Sequence, residues 1–240
     1  MTCSTPKTKG FQCKQFTIHD GNSGMPVSTD GILLGAWANF SMPRHLLDIG
    51  CGTGLLSLML AQRFPNAMIQ AIDIDPVAIE DASYNVAHSS WHNRIHVTHS
   101  DITHVPSTTK FSGIICNPPY FNSGEQSANK QRATARHTGS LTHEQLLDAC
   151  WQLLCEQGEA CFVLPKVEGE QFIQRALKKG WYLHRICRIQ ATSTKACNRL
   201  LFAIGKQSRE PSESVLVIHS EGGGYSSDFI ALTRDFYLKM

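Results

Sequence analysis

The chain has 240 residues, 42% of them hydrophobic and 18% charged, with a formal net charge of +2. That length suits one α/β domain with extensions rather than two separate cores, and no apolar run approaches the roughly 18 residues of a membrane span. The start, "MTCSTPKTKGFQCKQF", has no apolar stretch of the secretory kind, so the expectation is a cytoplasmic protein without a membrane anchor.

The nine cysteines have no CxxC spacing and several stand in apolar runs. They read as reduced core thiols, with neither a disulfide framework nor a metal site expected. Charge is unevenly placed. Residues 1–109 carry 6 Lys/Arg against 8 Asp/Glu, and residues 110–206 carry 13 against 7. From Gln171 to Arg209 there are nine basic residues and no acid, among them Lys178, Lys179 and Arg185. Such a stretch points to a polyanionic partner, with a merely solvated surface as the plain alternative.

Along the chain, "FTIHDGNSGMPVSTDGILLGAWANF" is rich in turn formers and becomes helical from about Thr29. "HLLDIG" (45–50) is a short buried strand, and "LLSLMLAQRF" (55–64) has the length and apolar content of a helix. "AMIQAID" (67–73) is a second strand. Asp75-Pro76 then opens a helix, with Asp as N-cap and Pro in the first turn. "RIHVTHSD" (94–101) and "SGIIC" (112–116) are the third and fourth strands. Thr142 and Gln145 form a capping box before a helix extending to about Gly158. "EACFVLP" is the fifth strand, and a helix ending at Gly180 follows. "WYLHRICRIQ" and "RLLFAIGK" make the last two strands, as a hairpin, before a C-terminal helix in "SSDFIALTRDFYLKM". The alternation predicts a doubly wound, seven-stranded, mainly parallel sheet, with residues 1–44 as an N-terminal extension and 45–240 as the main domain.

Two motifs carry chemistry. "LLDIGCGTG" (46–54) is strand, glycine turn, helix. Its GxGxG spacing differs from the GxGxxG of dinucleotide sites. Asp48 beside it disfavours a phosphate and favours a cation. Asp73 ends the second strand, where an acid can accept from ribose hydroxyls, and Asp101 ends the third, where a carboxylate can face an adenine amino group. Three acids at the ends of successive strands fit a positively charged nucleoside such as S-adenosylmethionine; NAD is the runner-up.

The second motif is "NPPY" (117–120), at the end of the fourth strand. Two prolines stop the ladder and restrain the residues before them. The Asn117 side-chain carbonyl and the Pro118 backbone carbonyl can then accept both hydrogens of a planar amine. Two such acceptors favour pyramidalisation of the nitrogen and stabilise the charge that develops during methyl transfer. Tyr120 offers a face for a flipped base. A rigid turn with a surface tyrosine is the plain alternative. The polar segment 121–141 is long for a compact domain, and its Lys130, Arg132 and Arg136 can meet RNA phosphates.

With both motifs in view, "DIGCGTG" and "AIDID" resemble the class I S-adenosylmethionine-dependent methyltransferases, and "NPPY" resembles their amino-methylating branch. "FTIHDGNSGMPVSTDGILLGAWA", "RATARHT" and "FIALTRDFYLKM" extend the likeness to the bacterial tRNA adenine-N6 methyltransferase family, which acts on adenosine 37 of a valine tRNA. The resemblance implies a Rossmann-like fold, S-adenosylmethionine as cofactor and tRNA as partner. It also implies cofactor binding by Asp48, Gly50, Gly52, Asp73, Ile74, Asp101, Ile102 and Asn117, with Thr29, Asp30 and Gly35 closing over the site. Asn117, Pro118 and Tyr120 would receive the adenine. The expected state is a monomer or weak homodimer. Guanine N2 methylation, glutamine N5 methylation and a non-catalytic RNA-binding role on the same scaffold are the competing readings.

Overall fold

The computed structural model describes residues 10–19, 21, 27–118 and 141–239. A short pair of strands, β1 (Phe11–Gln12) and β2 (Thr17–Ile18), precedes helix α1 (Thr29–Trp37). Then come β3 (His45–Ile49), α2 (Leu55–Arg63), β4 (Met68–Asp73), α3 (Pro76–Ala87), β5 (Ile95–His99), a 3-10 turn (Ile102–His104) and β6 (Phe111–Cys116). The second half holds α4 (His143–Leu153), β7 (Leu154–Pro165), α5 (Lys166–Lys178), β8 (Tyr182–Gln190), β9 (Arg199–Gly205), β10 (Ser212–Val217) and α6 (Ser227–Thr233).

Eight strands form one sheet in the order β10-β8-β9-β7-β6-β3-β4-β5. Only β9 runs against the others, pairing antiparallel with both β7 and β8. The expected hairpin of the last two predicted strands is therefore present, inserted between β7 and β10. The seven predicted strands are all found, and β10 is an eighth. It sits at the edge, where only Leu216 is buried. With one face wet and no facing strand, "SESVLV" has no hydrophobic alternation to read.

Capping chemistry starts the helices as expected. Asp75 accepts from the Val77 amide at 2.9 Å, and Thr142 and Gln145 complete a reciprocal box. The helix begun there ends sooner than predicted, at Leu153, because Leu154 is drawn fully into the sheet core and starts β7. The C-terminal helix is likewise shorter, ending at Thr233.

Apolar packing lies on both faces of the sheet. One cluster gathers α1, α2 and Phe229 of α6; the other gathers α4, α5 and the Phe162, Phe172 and Phe202 rings. The N-terminal residues share the first cluster, through Cys13, Phe16 and Ile18, and the Lys14 amide bonds to the Phe236 carbonyl. Close approach sets two glycines. A Cβ on Gly35 would stand 2.5 Å from the Met59 sulfur, and one on Gly113 would stand 2.4 Å from the Phe40 ring and 2.7 Å from Leu46.

Gly113→Ala therefore overpacks β6 against Phe40 and is expected to lower stability by about 1–3 kcal/mol. Urea denaturation reads the loss, and Phe40→Leu in the same chain should recover part of it.

Candidate cofactor and substrate site

The strand order reverses at β3, which has β4 on one side and β6 on the other. In open α/β sheets the ligand crevice lies at such a point, beyond the carboxyl ends of the strands. Ile49, the last residue of β3, is the direct partner of Cys116, the last residue of β6. The glycine turn and the Asn117-Pro118 corner therefore leave the sheet side by side.

Gly50, Gly52 and Gly54 all have positive φ, at 69°, 53° and 82°, angles a side chain would strain. The Gly50 and Cys51 amides bond to the Ile72 carbonyl at 2.9 and 3.0 Å, tying the turn to β4. A Cβ at Gly50 or Gly52 would meet nothing within 4 Å, so the backbone there borders open space. Gly54 starts α2 with no side-chain cap, leaving the helix N-terminus to a ligand or solvent.

Asp48 is fully buried below this turn. One carboxylate oxygen accepts from the Ser57 hydroxyl at 2.6 Å, and the other has no partner among the described residues. Burial pushes its pKa up to about 7, the Ser57 bond opposes that, and the neighbouring Asp73 charge adds to it. Asp73 is a brace. Its two oxygens accept from the Gly52 amide at 2.9 Å and the Asp75 amide at 3.0 Å. Each oxygen keeps acceptor capacity beyond that one bond.

Asp101 caps the 3-10 turn, accepting from the amide and hydroxyl of Thr103, both at 2.8 Å. Burial works to raise its pKa, but the Thr103 bonds and nearby His104 outweigh it and leave the carboxyl below its ordinary value. Ile74 is 60% exposed beside the crevice while Ile102 is buried. Asn117 is half-buried and Pro118 buried.

The other expected site residues fall elsewhere. Asp30 turns to Arg199, whose Nε lies at 2.9 Å, and with Thr29 it lines a pocket toward β8 and β9. Gly35 is buried against Met59, in a helix–helix contact. Lys178 and Lys179 close α5, and Arg185 stands early in β8. Because α5 runs back from the end of β7, Lys178 and Lys179 lie toward the opposite end of the sheet from the crevice, whereas Arg185 is in register with Ala203, Cys161 and Ile115, level with Asp48 but three strands across from β6, roughly 14 Å away. Arg185 is also engaged, with Glu159 at 3.1 Å and its guanidinium 4.3 Å over the Trp37 ring. Lys179 pairs with Asp148 at 2.6 Å. Tyr120, Lys130, Arg132 and Arg136 lie outside the described residues.

Asn85, which belongs to neither sequence motif, also shapes the site. It is 1% exposed on α3, and its amide donates to the Thr53 carbonyl at 2.9 Å and the His19 carbonyl at 3.1 Å. Its oxygen accepts from the His19 amide at 2.9 Å. It thus fastens the N-terminal segment to the glycine turn. Gly21 lies so close to Asp81 that a Cβ would overlap the carboxylate. The available signal was two polar residues, Asp81 and Asn85, four apart on the helix face that also carries Ala78, Ala82 and Val86.

The Methyltransferase small domain model matches residues 32–179, so the fold and crevice belong to a methyltransferase. Among solved structures, a predicted O-methyltransferase, protein Atu636 from Agrobacterium tumefaciens, has this fold, with a TM-score of 0.67 and 18% identity over 86% of this chain and 96% of its own. A protein of Vibrio parahaemolyticus named tRNA1(Val) (adenine(37)-N6)-methyltransferase is 56% identical, with 98% of each chain covered. A Vibrio vulnificus protein of the same name is 55% identical over the whole of both chains. The chain belongs to the tRNA1(Val) (adenine(37)-N6)-methyltransferase family.

The buried Asp48 sets a pH dependence. Its folded pKa of about 7 lies above the roughly 3.9 of an unfolded aspartate, so the folded chain holds a proton that the unfolded chain has lost. Its stabilising contribution is complete below about pH 4 and is lost as pH rises toward 7. Urea midpoints between pH 5 and 7.5 should fall more steeply for the parent than for Asp48→Asn; parallel slopes would show that Asp48 is already ionised.

Proposed function

We propose that this chain transfers a methyl group from S-adenosylmethionine to the exocyclic N6 of an adenine in tRNA, at adenosine 37 of a valine tRNA. The carrying observation is the pairing of Ile49 with Cys116, which opens an acid-backed glycine turn and an Asn-Pro corner onto one crevice. The names of the Vibrio relatives support the substrate.

The residues present suit the cofactor. The unmatched oxygen of Asp48 is a buried acceptor awaiting a donor or a positive charge. The open space over Gly50 and Gly52 admits a ligand to the main chain. Asp73 and Asp101 offer acceptors for hydroxyl and amino groups, and the exposed Ile74 an apolar surface for a base. Bound there, S-adenosylmethionine supplies an electrophilic methyl carbon on a cationic sulfur.

The rest of the chemistry is positioning. Asn117 and Pro118 present one side-chain and one main-chain carbonyl to the two amine hydrogens of the target. Proline after each of them restricts their backbone to extended angles, which aims these acceptors before substrate arrives. As positive charge grows on the nitrogen, both carbonyls hold it more tightly than in the ground state. The methylated nitrogen is acidic, so its proton can pass to water. Tyr120 is the proposed stacking platform, and Lys130, Arg132 and Arg136 the proposed phosphate contacts nearest the target in sequence. Contacts from Lys178, Lys179 and Arg185 would reach the body of the tRNA instead of the target base. A cytoplasmic location and a monomeric or weakly dimeric state belong to the same reading.

Incubation with total tRNA from a strain lacking this protein, followed by nucleoside mass spectrometry, should yield N6-methyladenosine. N2-methylguanosine, or no product, overturns the proposal. Asn117→Ala should cut kcat by about 10²–10³-fold, as loss of an oriented electrostatic partner does, with cofactor affinity within a few-fold of the parent.

A further inference from the structure

We propose that the aromatic pocket at the β8–β9–β10 end of the crevice rim is a second nucleobase site, taking an unstacked base close to the target nucleotide on the same RNA. This rests on the proposed action on tRNA and deepens it. The pocket has a volume of about 250 Å³ and lies between α1, α6 and the ends of β8 and β9. Asn198 and Arg199 come from the start of β9, His219 and Tyr225 from the turns around an isolated bridge that joins them.

Its place on the sheet is the first argument. Arg199 is the direct partner of Pro165, the last residue of β7, and of Ile189 near the end of β8. The pocket is thus at the same end of the sheet as Asn117. One strand, β7, separates β9 from β6. At about 4.8 Å per strand the pocket begins roughly 10–15 Å from the Asn-Pro corner, a span that one or two nucleotides of a single strand can cross. Helix α1 links the two places directly. Asp30 lines the pocket, while the next residue, Gly31, packs on Leu55 at the start of α2, just past the glycine turn.

The chemistry of the lining is the second. Tyr225 lies near-parallel to three other rings: His219 (5.4 Å, 18°), Phe229 (4.7 Å, 23°) and Tyr237 (6.5 Å, 28°). Phe229 is buried, but Tyr225 is 44% exposed and His219 is exposed too. The stack therefore runs from the core out to solvent and ends in open aromatic surface, on which a further planar ring can continue it. Asn198 brings an amide that can donate and accept along the edge of such a ring. Arg199 is paired with Asp30, so the pocket holds a balanced ion pair in place of a bare cation. That balance suits a neutral heterocycle better than a phosphate. Nothing in the cofactor turn or the Asn-Pro corner uses these groups.

The test uses the full chain and its tRNA substrate. Tyr225→Ala should raise KM for tRNA roughly tenfold, the size of one lost base stack, with kcat and cofactor affinity unchanged. Tyr225→Phe, which keeps the ring, should restore KM. Asn198→Ala, on an exposed turn, should alter the ranking of tRNAs substituted at the positions flanking the target. A KM for Tyr225→Ala within twofold of the parent overturns the proposal. If Tyr225→Ala lowers the thermal midpoint, Asn198→Ala decides alone, and an unchanged ranking overturns it. A parent chain that methylates no RNA removes the function and this site together; a parent that methylates tRNA no better than Tyr225→Ala removes only the second site.

Discussion

Ile49 and Cys116 are backbone partners on adjacent parallel strands, and the functional layout depends on that register. Each strand ends at that pair, and each is followed at once by a segment of unusual backbone. After β3 come three glycines with positive φ; after β6 comes an asparagine held before a proline. A sheet ladder fixes positions to fractions of an ångström because each hydrogen bond must be satisfied in the interior. A slip of one residue in β6 would turn Asn117 to the other face of the sheet and leave the glycine turn facing nothing. Both strands are buried on both faces there, so particular contacts hold the register: Gly113 is the residue that fits against Phe40 and Leu46, and Asp48 is the residue that meets the Ser57 hydroxyl.

Asp48 is the electrostatically costly group of the crevice. Asp48 is taken wholly out of water with one oxygen unmatched, and its neighbour Asp73 is already occupied in bracing the turn. An unsatisfied buried acceptor costs free energy that a well-packed apolar residue would not. Such a group persists where a ligand completes it, and a cationic ligand completes a carboxylate best. The two acids thus divide the labour: Asp73 shapes the turn, and Asp48 keeps an acceptor in reserve. Asn85 adds a third constraint by binding the N-terminal segment to the same turn.

The far end of the sheet is built differently. There Glu159 is buried and held by Arg185, Arg209 and His184, with Arg185 also donating to the Asn39 carbonyl at 3.1 Å. Those bonds fasten the segment after α1 to β7 and β8. The acid-free stretch from Gln171 to Arg209 is accordingly not one basic face. Some of its cations answer buried or surface acids, Lys179 pairs with Asp148, Arg188 pairs with Glu213, and Arg199 reaches across to Asp30 at the crevice end. Linear counting put these charges together, and the fold sends them to both ends of the sheet and to opposite partners.

The seven main strands, the caps at Asp75 and Thr142, the glycine turn and the Asn-Pro corner were legible in the linear chain, because each is written in residues that are close together along it. Periodicity, capping and proline restraint are local effects and need no knowledge of what lies opposite. The tertiary structure alone decided what depends on contacts between distant segments. It drew Leu154 into the sheet and shortened the helix before it. It made an edge strand of "SESVLV", and it packed Gly35 against Met59. It also joined Asp30 to Arg199 across 169 positions of sequence, and it gave Asn85 its hold on His19. Those outcomes are set by which faces meet in the folded chain, and no spacing along the sequence records that.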